Sequence, residues 1–258
     1  MAILDDIKAG YKLDGNSNDC VGSKNGTDSN ISYGAGKIGD CAVFDGSSSR
    51  ILIDDHADVS PVGDFSISAW VNSDSVSNFR RGICGKYRGD STGRSFYWGI
   101  KQSDGVCTLA VYSSGTVGVE KTIDIGDMTA GTWYHFVIAF DLSAGSAELF
   151  VNNVSKGTMT GFSTAGVYDS TAKVAIGDFG EAEGNWWDGK IDEIYLWFKC
   201  LTTDEIAVLY NDGAGRTHPF TTVSGPAKLK TKNTLVTAKI KTINGLAIAK
   251  IKTINSLV

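Results

Sequence analysis

Proline and histidine are scarce in this chain, and the patterns typical of zinc modules and membrane proteins are missing. Three prolines and three histidines occur in 258 residues. None of the five cysteines forms a Cys-x-x-Cys pair, and their spacing fits no zinc module. No stretch of about 18 apolar residues predicts a membrane-spanning helix. Residues 1–11 also lack the apolar region of a signal peptide.

Acidic residues are absent from the last part of the chain. The whole chain has a net charge of −5, and seven lysines lie between Phe220 and Val258, so the first 219 residues carry −12. An acidic body does not favour nucleic acid, because phosphate contacts require a basic surface. The seven lysines alternate with Ile, Leu and Thr, which favours a solvated face over a nucleic-acid site.

The cysteines do not suggest a disulfide framework. Their number is odd in a chain of this length, which favours mostly free and buried thiols. One bridge, such as Cys20–Cys41, remains open at this point. The five positions are Cys20, Cys41, Cys84, Cys107 and Cys200.

Short alternating apolar runs recur between Cys41 and Phe198, and turn pairs such as Asp104-Gly105 separate them. Such strands, without long helices between them, predict an antiparallel two-sheet sandwich. In Phe65–Val71 the odd positions share one face and Ser66, Ser68 and Trp70 the other, as the strand period of two requires. One short helix is predicted after Thr202, where Thr202-Thr-Asp-Glu205 forms a capping box.

The chain ends in a repeat of eleven residues in three copies, beginning at Ala227, Ala238 and Ala249. The period is compatible with a right-handed helical supercoil. The Ile and Thr content and the Asn244-Gly245 pair favour strand–turn–strand units instead. We expect a body over residues 1–218 and a β-rich tail over 219–258 that oligomerises or attaches it, with a frayed extension as the alternative.

Several segments together resemble the laminin-G-like family, which has a concanavalin A-like jelly-roll fold. The likeness spans roughly residues 5–216. The order of the matching segments along the chain is more specific for the fold than any single segment. The segments include Tyr11–Asn16, Gly39–Gly46, Phe65–Trp70, Gly131–Phe136, Glu148–Asn152 and Asp188–Tyr195, followed by the predicted helix. The resemblance implies an all-β jelly-roll sandwich. It is poorly specific for a ligand, because one fold hosts many functions.

Calcium is the metal that the resemblance implies. In many relatives, the first loop and an acidic residue of the late Gly-x-Ile-Asp strand bind calcium or lie near it. Carboxylate and amide oxygens are also the ligands that Ca²⁺ prefers. The alternative is that Asp14-Gly15 only closes a turn and that Asp192 accepts hydrogen bonds in a buried network. The predicted ligands are Asp14, Asn16, Asp19 and Asp192.

A sugar site needs an aromatic face for stacking and polar groups for the sugar hydroxyls. The loop Asp178–Trp187 offers both, and Tyr87 and Arg94 flank another loop. Tyr97 and Tyr112 are expected on the face of one sheet that points away from the core. The predicted carbohydrate-binding residues are Tyr87, Arg94, Tyr97, Tyr112, Asp178, Trp186 and Trp187.

The sequence offers little to support catalysis. A glycosidase needs two carboxylates flanking the scissile bond, and no Glu-x-Asp-x-x-Glu run is present. Asp192 and Glu193 are adjacent, so a regular strand would point them to opposite faces. The histidines His56, His135 and His218 are scattered, and His135 falls within an alternating run. We therefore expect no enzyme activity.

Three functions remain in order of preference. The first is a non-catalytic module on a virion or another extracellular assembly that binds host-surface glycan. The second is a purely structural virion decoration or fibre protein, and the third is a polysaccharide hydrolase. The repeat resembles those that end many tailed-phage virion proteins, which suggests a homo-oligomer whose residues 220–258 contact other subunits.

Overall fold

The structure is a computed structural model. It describes residues 6–75, 80–90, 92–101, 104–181 and 183–220, and the backbone of Thr242–Ile243 and Leu246–Ala247. The chain divides into two compact units, residues 1–221 and 222–258. All five cysteines are free. None of the helices described is long and apolar enough to cross a membrane.

The first unit is the predicted jelly-roll sandwich of two antiparallel sheets. Sheet 1 has the order β13-β12-β11-β6-β15-β4-β3, with β1 also paired to β15. Its strands are β1 (Ile7–Tyr11), β3 (Ser32–Ala35), β4 (Asp40–Asp45), β6 (Phe65–Ser73), β11 (Trp133–Asp141), β12 (Ser146–Val151), β13 (Val154–Thr160) and β15 (Asp188–Trp197).

Sheet 2 has the order β10-β9-β8-β7-β14-β5-β2, and its pairs are also antiparallel. Consecutive strands β7 to β10 therefore lie side by side, which leaves one broad region of the sheet built from a single meander. The strands are β2 (Gly26–Ser29), β5 (Arg50–Ile53), β7 (Arg80–Tyr87), β8 (Arg94–Lys101), β9 (Val106–Tyr112), β10 (Gly118–Asp124) and β14 (Val174–Ile176).

The core lies between the two sheets, and the period of two selects its residues. On β6, Phe65, Ile67, Ala69 and Val71 point inward and are almost fully buried, as predicted. Phe96, Trp98 and Ile100 of β8 face them from sheet 2. Phe65 lies 5.4 Å from Phe96 between ring centroids. Tyr97 must therefore point to the outer face of sheet 2.

Helix α1 (Thr203–Tyr210) contributes to the cover on the outer face of sheet 1. The predicted capping box forms: the Thr202 hydroxyl accepts the Glu205 N–H, and the Glu205 carboxylate accepts the Thr202 N–H at 2.9 Å. Ile206 and Leu209 pack on outward residues of the sheet, among them Trp197. This face of the sandwich is consequently occupied by the chain itself.

His135 is buried in the layer between sheet 1 and Tyr210. Its ring lies 5.0 Å from Trp70 and 6.0 Å from Tyr210 between centroids. Its Nε2 is 2.8 Å from the Ser68 hydroxyl. Burial lowers the pKa of His135 to about 3. The imidazole is therefore neutral in the folded chain, which agrees with its predicted structural role.

The second unit shows a short hairpin in the second repeat copy. β16 (Thr242–Ile243) pairs antiparallel with β17 (Leu246–Ala247), with Thr242 opposite Ala247 and Ile243 opposite Leu246. The strands flank Asn244-Gly245, as the strand–turn–strand interpretation requires. The other two copies lie outside the described residues. The role predicted for the tail stays a prediction.

His135 should make stability depend on pH. Below pH 6.5 the unfolded chain protonates this imidazole, whereas the folded chain does so only near pH 3. His135 should therefore contribute about 2 kcal/mol less to the free energy of unfolding at pH 5 than at pH 7. Urea unfolding of wild type and His135→Gln at both pH values measures this part. The exposed His56→Gln is the control. Equal changes in the free energy of unfolding between pH 7 and pH 5 in wild type and His135→Gln would contradict the prediction.

Candidate functional site

Outward side chains of β8, β9 and β10 line up across sheet 2. Tyr97 pairs with Ala110, and Ala110 pairs with Glu120, so the three residues form one row. Tyr112, two residues beyond Ala110 on the same face, lies opposite Gly118. A Cβ at Gly118 would come within 2.3 Å of the Tyr112 ring. The missing side chain thus lets the Tyr112 ring lie across the edge strand.

Three tyrosines and one phenylalanine meet on this outer face, and we call them the tyrosine cluster: Tyr87, Tyr97, Tyr112 and Phe179. Tyr97 stacks on Phe179 at 4.5 Å between centroids, and Tyr87 meets Tyr97 edge-on at 5.4 Å. Tyr112 lies 5.7 Å from Tyr87 and 6.5 Å from Tyr97. Tyr97 is 9% exposed, whereas Tyr87 and Tyr112 are half-buried. The structure thus brings the three predicted tyrosines together.

Glycines of β7 and β8 allow the 177–187 loop to lie directly on the sheet. A Cβ at Gly85 would be 2.0 Å from the Phe179 carbonyl oxygen, and one at Gly82 would be 2.3 Å from the Asp178 carbonyl carbon. A Cβ at Gly99 would come within 2.4 Å of the Phe179 ring. The three positions, which we call the glycine stripe, let Phe179 reach Tyr97.

Asp178 holds this loop together and does not face solvent. Its side chain is fully buried, and its carboxylate accepts the N–H groups of Phe179 at 2.7 Å and Asn185 at 3.0 Å. Burial raises the pKa of Asp178, although these backbone hydrogen bonds oppose the rise. Its predicted contact with a sugar is therefore wrong for this conformation, because the carboxylate is enclosed by its own loop.

The two adjacent tryptophans of the loop have different surroundings. Trp187 is fully buried in the main core, and its indole N–H donates to the Lys190 carbonyl at 3.2 Å. It cannot stack on a surface ligand, so that part of the predicted site is also wrong. Trp186 is half-buried, and its carbonyl accepts from Arg81 at 2.8 Å. The predicted sugar contact of Trp186 stays a prediction.

Charged side chains surround the tyrosine cluster. Glu120 accepts from the Arg80 guanidinium at 2.8 Å and from the Tyr97 hydroxyl. Burial alone would raise the pKa of Glu120, but these two hydrogen bonds lower it on balance. The Arg94 guanidinium lies 5.7 Å from the Tyr87 ring centroid and donates to the Gly89 carbonyl at 2.9 Å. Burial, with Tyr87 nearby, raises the pKa of Tyr112 to about 12. Tyr112 is therefore a neutral donor at physiological pH.

The four predicted calcium ligands do not converge. Asp19 is nearly buried and accepts the N–H groups of Gly10, Val21 and Lys24 at 3.0–3.1 Å. Asn16 bonds within its own loop, to the Asn18 N–H and the Asp14 carbonyl. Calcium needs six to eight oxygen ligands. In the parts of the chain described, no group of three or more His, Cys, Asp or Glu residues has the arrangement of a metal site.

Asp14 and Asp192 instead hold the turn at residues 36–40. The Asp192 Oδ2 atom accepts the N–H groups of Lys37 at 2.8 Å and Ile38 at 2.9 Å, and Asp14 Oδ1 accepts that of Asp40 at 2.9 Å. Burial raises the pKa of Asp192 to about 7. The observed contacts are those of the alternative interpretation, a turn and a buried hydrogen-bond network. The four residues do not fit a calcium ion as a set.

Asp192 and Glu193 point to the same side of sheet 1, contrary to the sequence prediction. The pairing of β15 with β6 shifts register between Asp192 and Tyr195, and Glu193 has a φ of 49°. Such a bulge breaks the strand alternation. Both side chains are at most 1% exposed. They are covered carboxylates beneath the outer layer, which leaves no room for a polysaccharide between them.

One segment matches the sequence of a serine hydrolase motif but lacks the local fold that the motif requires. Gly89-Asp-Ser-Thr-Gly93 matches Gly-x-Ser-x-Gly. That motif requires a turn from a strand into a helix. Here the stretch joins β7 to β8, two neighbouring strands of one sheet. The local topology is therefore that of a hairpin.

The sequence could have indicated part of what was missed. Glycines inside strands often mark a close backbone approach, so Gly82, Gly85 and Gly99 were a usable signal for the overlying loop. No comparable sequence feature indicated that Phe179 and Glu120 belong to the site. Their place in the site depends on the course of the loop and on the register of β9 with β10.

The fold and this face define a two-sheet jelly-roll protein with an aromatic outer surface on one sheet. The chain belongs to the concanavalin A-like lectin/glucanases superfamily, whose family model matches residues 15–207. This finding confirms the fold implied by the laminin-G resemblance. The likeness of the terminal repeat to phage proteins stays a prediction.

This chain covers different shares of the solved structures that it resembles. Domain 4 of AbnA, a GH43 extracellular arabinanase from Geobacillus stearothermophilus solved with arabinotriose, has 22% identity and a TM-score of 0.63, over 81% of this chain and 98% of that one. The botulinum neurotoxin serotype D ligand binding domain, solved with N-acetylneuraminic acid, has 15% identity and a TM-score of 0.60, over 80% and 51%.

A curated relative matches over a shorter stretch. The calpain-type cysteine protease DEK1 of Zea mays is 25% identical over 108 residues, which are 37% of this chain and 5% of that protein. This chain therefore spans a small part of the protease and about half of the neurotoxin domain. The likeness to the solved structures shows the fold alone.

Replacing Gly85 should displace the loop. In Gly85→Ala the new methyl would lie 2.0 Å from the Phe179 carbonyl oxygen, so Phe179 must move away from Tyr97. We expect a loss of about 1–3 kcal/mol in the free energy of unfolding, as for other overpacked sites. The control is Gly63→Ala, where a Cβ meets no atom within 4 Å. Denaturant unfolding gives the comparison, and equal stability of the two variants would refute this account of the stripe.

Proposed function

We propose that this chain is a non-catalytic carbohydrate-binding module whose ligand lies on the tyrosine cluster. The observation that carries the proposal is the convergence of Tyr87, Tyr97 and Tyr112 on the outer face of sheet 2. Helix α1 helps to cover the corresponding face of sheet 1. Sheet 2 therefore presents the rings of the tyrosine cluster to solvent.

The chemistry of the cluster suits a sugar. The half-buried rings of Tyr87 and Tyr112 keep part of their surface available, and Phe179 restricts the movement of the cluster by stacking on Tyr97. A fixed ring loses little conformational entropy when the C–H face of a sugar stacks on it. Arg94 and Glu120 at the margin supply donors and acceptors for hydroxyl groups. Stacking and peripheral hydrogen bonds are the two parts of a sugar site.

Two of the carboxylates near the cluster, Glu120 and Asp178, are engaged in ways that support binding without catalysis. Glycoside hydrolysis needs a carboxylic acid that can give its proton to the leaving oxygen. Glu120 is held ionised by Arg80 and Tyr97, and Asp178 is enclosed by its loop. The sugars in the two related crystal structures, arabinotriose and N-acetylneuraminic acid, agree with a sugar as the ligand class.

Removing the Tyr112 ring should abolish most of the affinity. Tyr112→Ala takes away one stacking surface and leaves the core unchanged, because the ring lies on the outer face over Gly118. A glycan array identifies a ligand, and calorimetry should then show binding weakened about tenfold or more, or ~1.4 kcal/mol. Tyr112→Trp should retain binding, since it keeps an aromatic face.

Tyr33→Ala is the matched control, because Tyr33 is a half-buried tyrosine on β3 of sheet 1. It should leave glycan binding unchanged. Absence of binding to any glycan by the wild type would overturn the proposal, as would equal affinity of wild type and Tyr112→Ala. A reducing-sugar assay on bound polysaccharides tests the hydrolase alternative directly.

A structural role for the terminal repeat is the second candidate. The hairpin at Thr242–Ala247 supports it, because an isolated two-stranded hairpin is at best marginally stable and needs a packing partner. We propose that residues 220–258 attach or multimerise the body in a virion or another extracellular assembly. Such a role is compatible with glycan binding by sheet 2.

Truncation distinguishes the body from the repeat. A chain that ends at Thr221 keeps Phe220, whose ring packs 4.9 Å from Tyr195 between centroids. We expect this chain to stay folded and to become monomeric, because the strands that need partners have been removed. Light scattering of the full chain and the truncated chain measures the change. An unaltered oligomeric state would show that the repeat is not the multimerising element.

A further inference from the structure

A second concave site lies away from the tyrosine cluster, between the connection from β10 to β11 and the hairpin of β12 and β13. The cleft has a volume of about 260 Å³. Asn152 fixes one wall, since its side-chain oxygen accepts the His135 N–H at 2.9 Å. Tyr134 fixes the other, since its hydroxyl accepts the Thr129 N–H at 3.0 Å. The cleft is therefore part of the folded framework.

The floor of the cleft is apolar. It consists of Ile125, Met128, Phe136 and Val151, all of which are nearly or fully buried. A hydroxyl group placed on this floor would be left without a partner, which is unfavourable. A cavity of about 150 Å³ lined by such side chains is enough to bind benzene. The floor thus suits a hydrocarbon group of the size of a leucine, methionine or phenylalanine side chain.

The mouth of the cleft has opposite charges. Asp127 and Lys156 both line it and are exposed. Within the described part of the chain, neither side chain has a recorded ion pair or hydrogen bond. Exposed Val154 adds an apolar edge beside them. A ligand with an ammonium group, a carboxylate and a hydrophobic body matches these features in one molecule.

We propose that this cleft binds a free amino acid with a hydrophobic side chain. The side chain occupies the floor, the α-ammonium group pairs with Asp127, and the α-carboxylate pairs with Lys156. Ionised hydrogen bonds of this kind are stronger than neutral ones. The site shares no residue with the tyrosine cluster, so it does not depend on the proposed sugar ligand.

Methyl NMR spectra of the full chain test the proposal, with L-leucine, L-methionine and L-phenylalanine as probes. We expect saturable shifts of Ile125, Met128, Val151 and Val154. N-acetyl-L-leucine amide has the same side chain as leucine without either charge, and it should bind at least tenfold more weakly. Glycine lacks the side chain and should produce no saturable shift.

Variants then assign the contacts. Asp127→Asn and Lys156→Gln should each weaken leucine binding about tenfold, as expected for the loss of one charge-assisted hydrogen bond. Val154→Trp should block the mouth without entering the core, because Val154 is 60% exposed. Asp169→Asn and Lys121→Gln change the same residue types outside the lining of the cleft, and as controls they should bind like wild type. Thermal melting checks that each variant is folded.

Two results would overturn the proposal. The first is the absence of saturable methyl shifts with all three amino acids. The second is equal affinity for leucine and its N-acetyl amide, which would identify the cleft as a docking site for an uncharged peptide segment. Glycan binding is measured separately on the same samples. Absence of amino-acid binding would therefore not contradict the sugar proposal, and absence of glycan binding would not contradict this one.

Discussion

The close contact between the 177–187 loop and the glycine stripe is the constraint on which the candidate site depends. Gly82, Gly85 and Gly99 remove three side chains from the outer face of sheet 2, and the backbone of Asp178 and Phe179 takes their place. Trp187 anchors the end of this loop in the core. Phe179 consequently stacks on Tyr97 and restricts the positions that the neighbouring tyrosine rings can occupy. The aromatic face is thus a product of backbone packing as well as of strand alternation.

The outer faces of the two sheets differ in how they are covered. Sheet 1 places Trp70, Tyr195 and Trp197 outward, and α1 and the following segment cover them. Sheet 2 has no helix over β8–β10 in the described part of the chain, and the 177–187 loop crosses part of its surface. Burial of aromatic area stabilises the fold on the first sheet. On the second, rings that are only half-buried retain area that a ligand can cover.

Strand alternation made most of the fold predictable. The inward set Phe65, Ile67, Ala69 and Val71 followed from the period of two, and so did the outward direction of Tyr97 and Tyr112. The capping box at Thr202 located the helix. These features are local, since each depends on a few neighbouring residues. The structure agrees with all of them.

The errors arose where a backbone departs from the regular period. The αL conformation of Glu193 puts it on the same side as Asp192, and no residue type near it signals a bulge. Trp186 and Trp187 are in a loop, where alternation does not apply, so the sequence could not tell which ring enters the core. The carboxylates predicted to bind calcium accept backbone N–H groups instead. Aspartate serves both purposes, and only the course of the chain distinguishes them.

The charge distribution bears on how a sugar is held at the tyrosine cluster. The first 219 residues carry −12, which repels polyanions over the distance of a Debye length, about 8 Å at physiological salt. Arg80 and Arg88 do not offset this field locally, because each is paired with a carboxylate. Stacking on Tyr87 and Tyr112 requires no net charge. The contacts of the rings are therefore short-range and select the shape of a C–H face, and Arg94 at the margin adds the positive charge of the site.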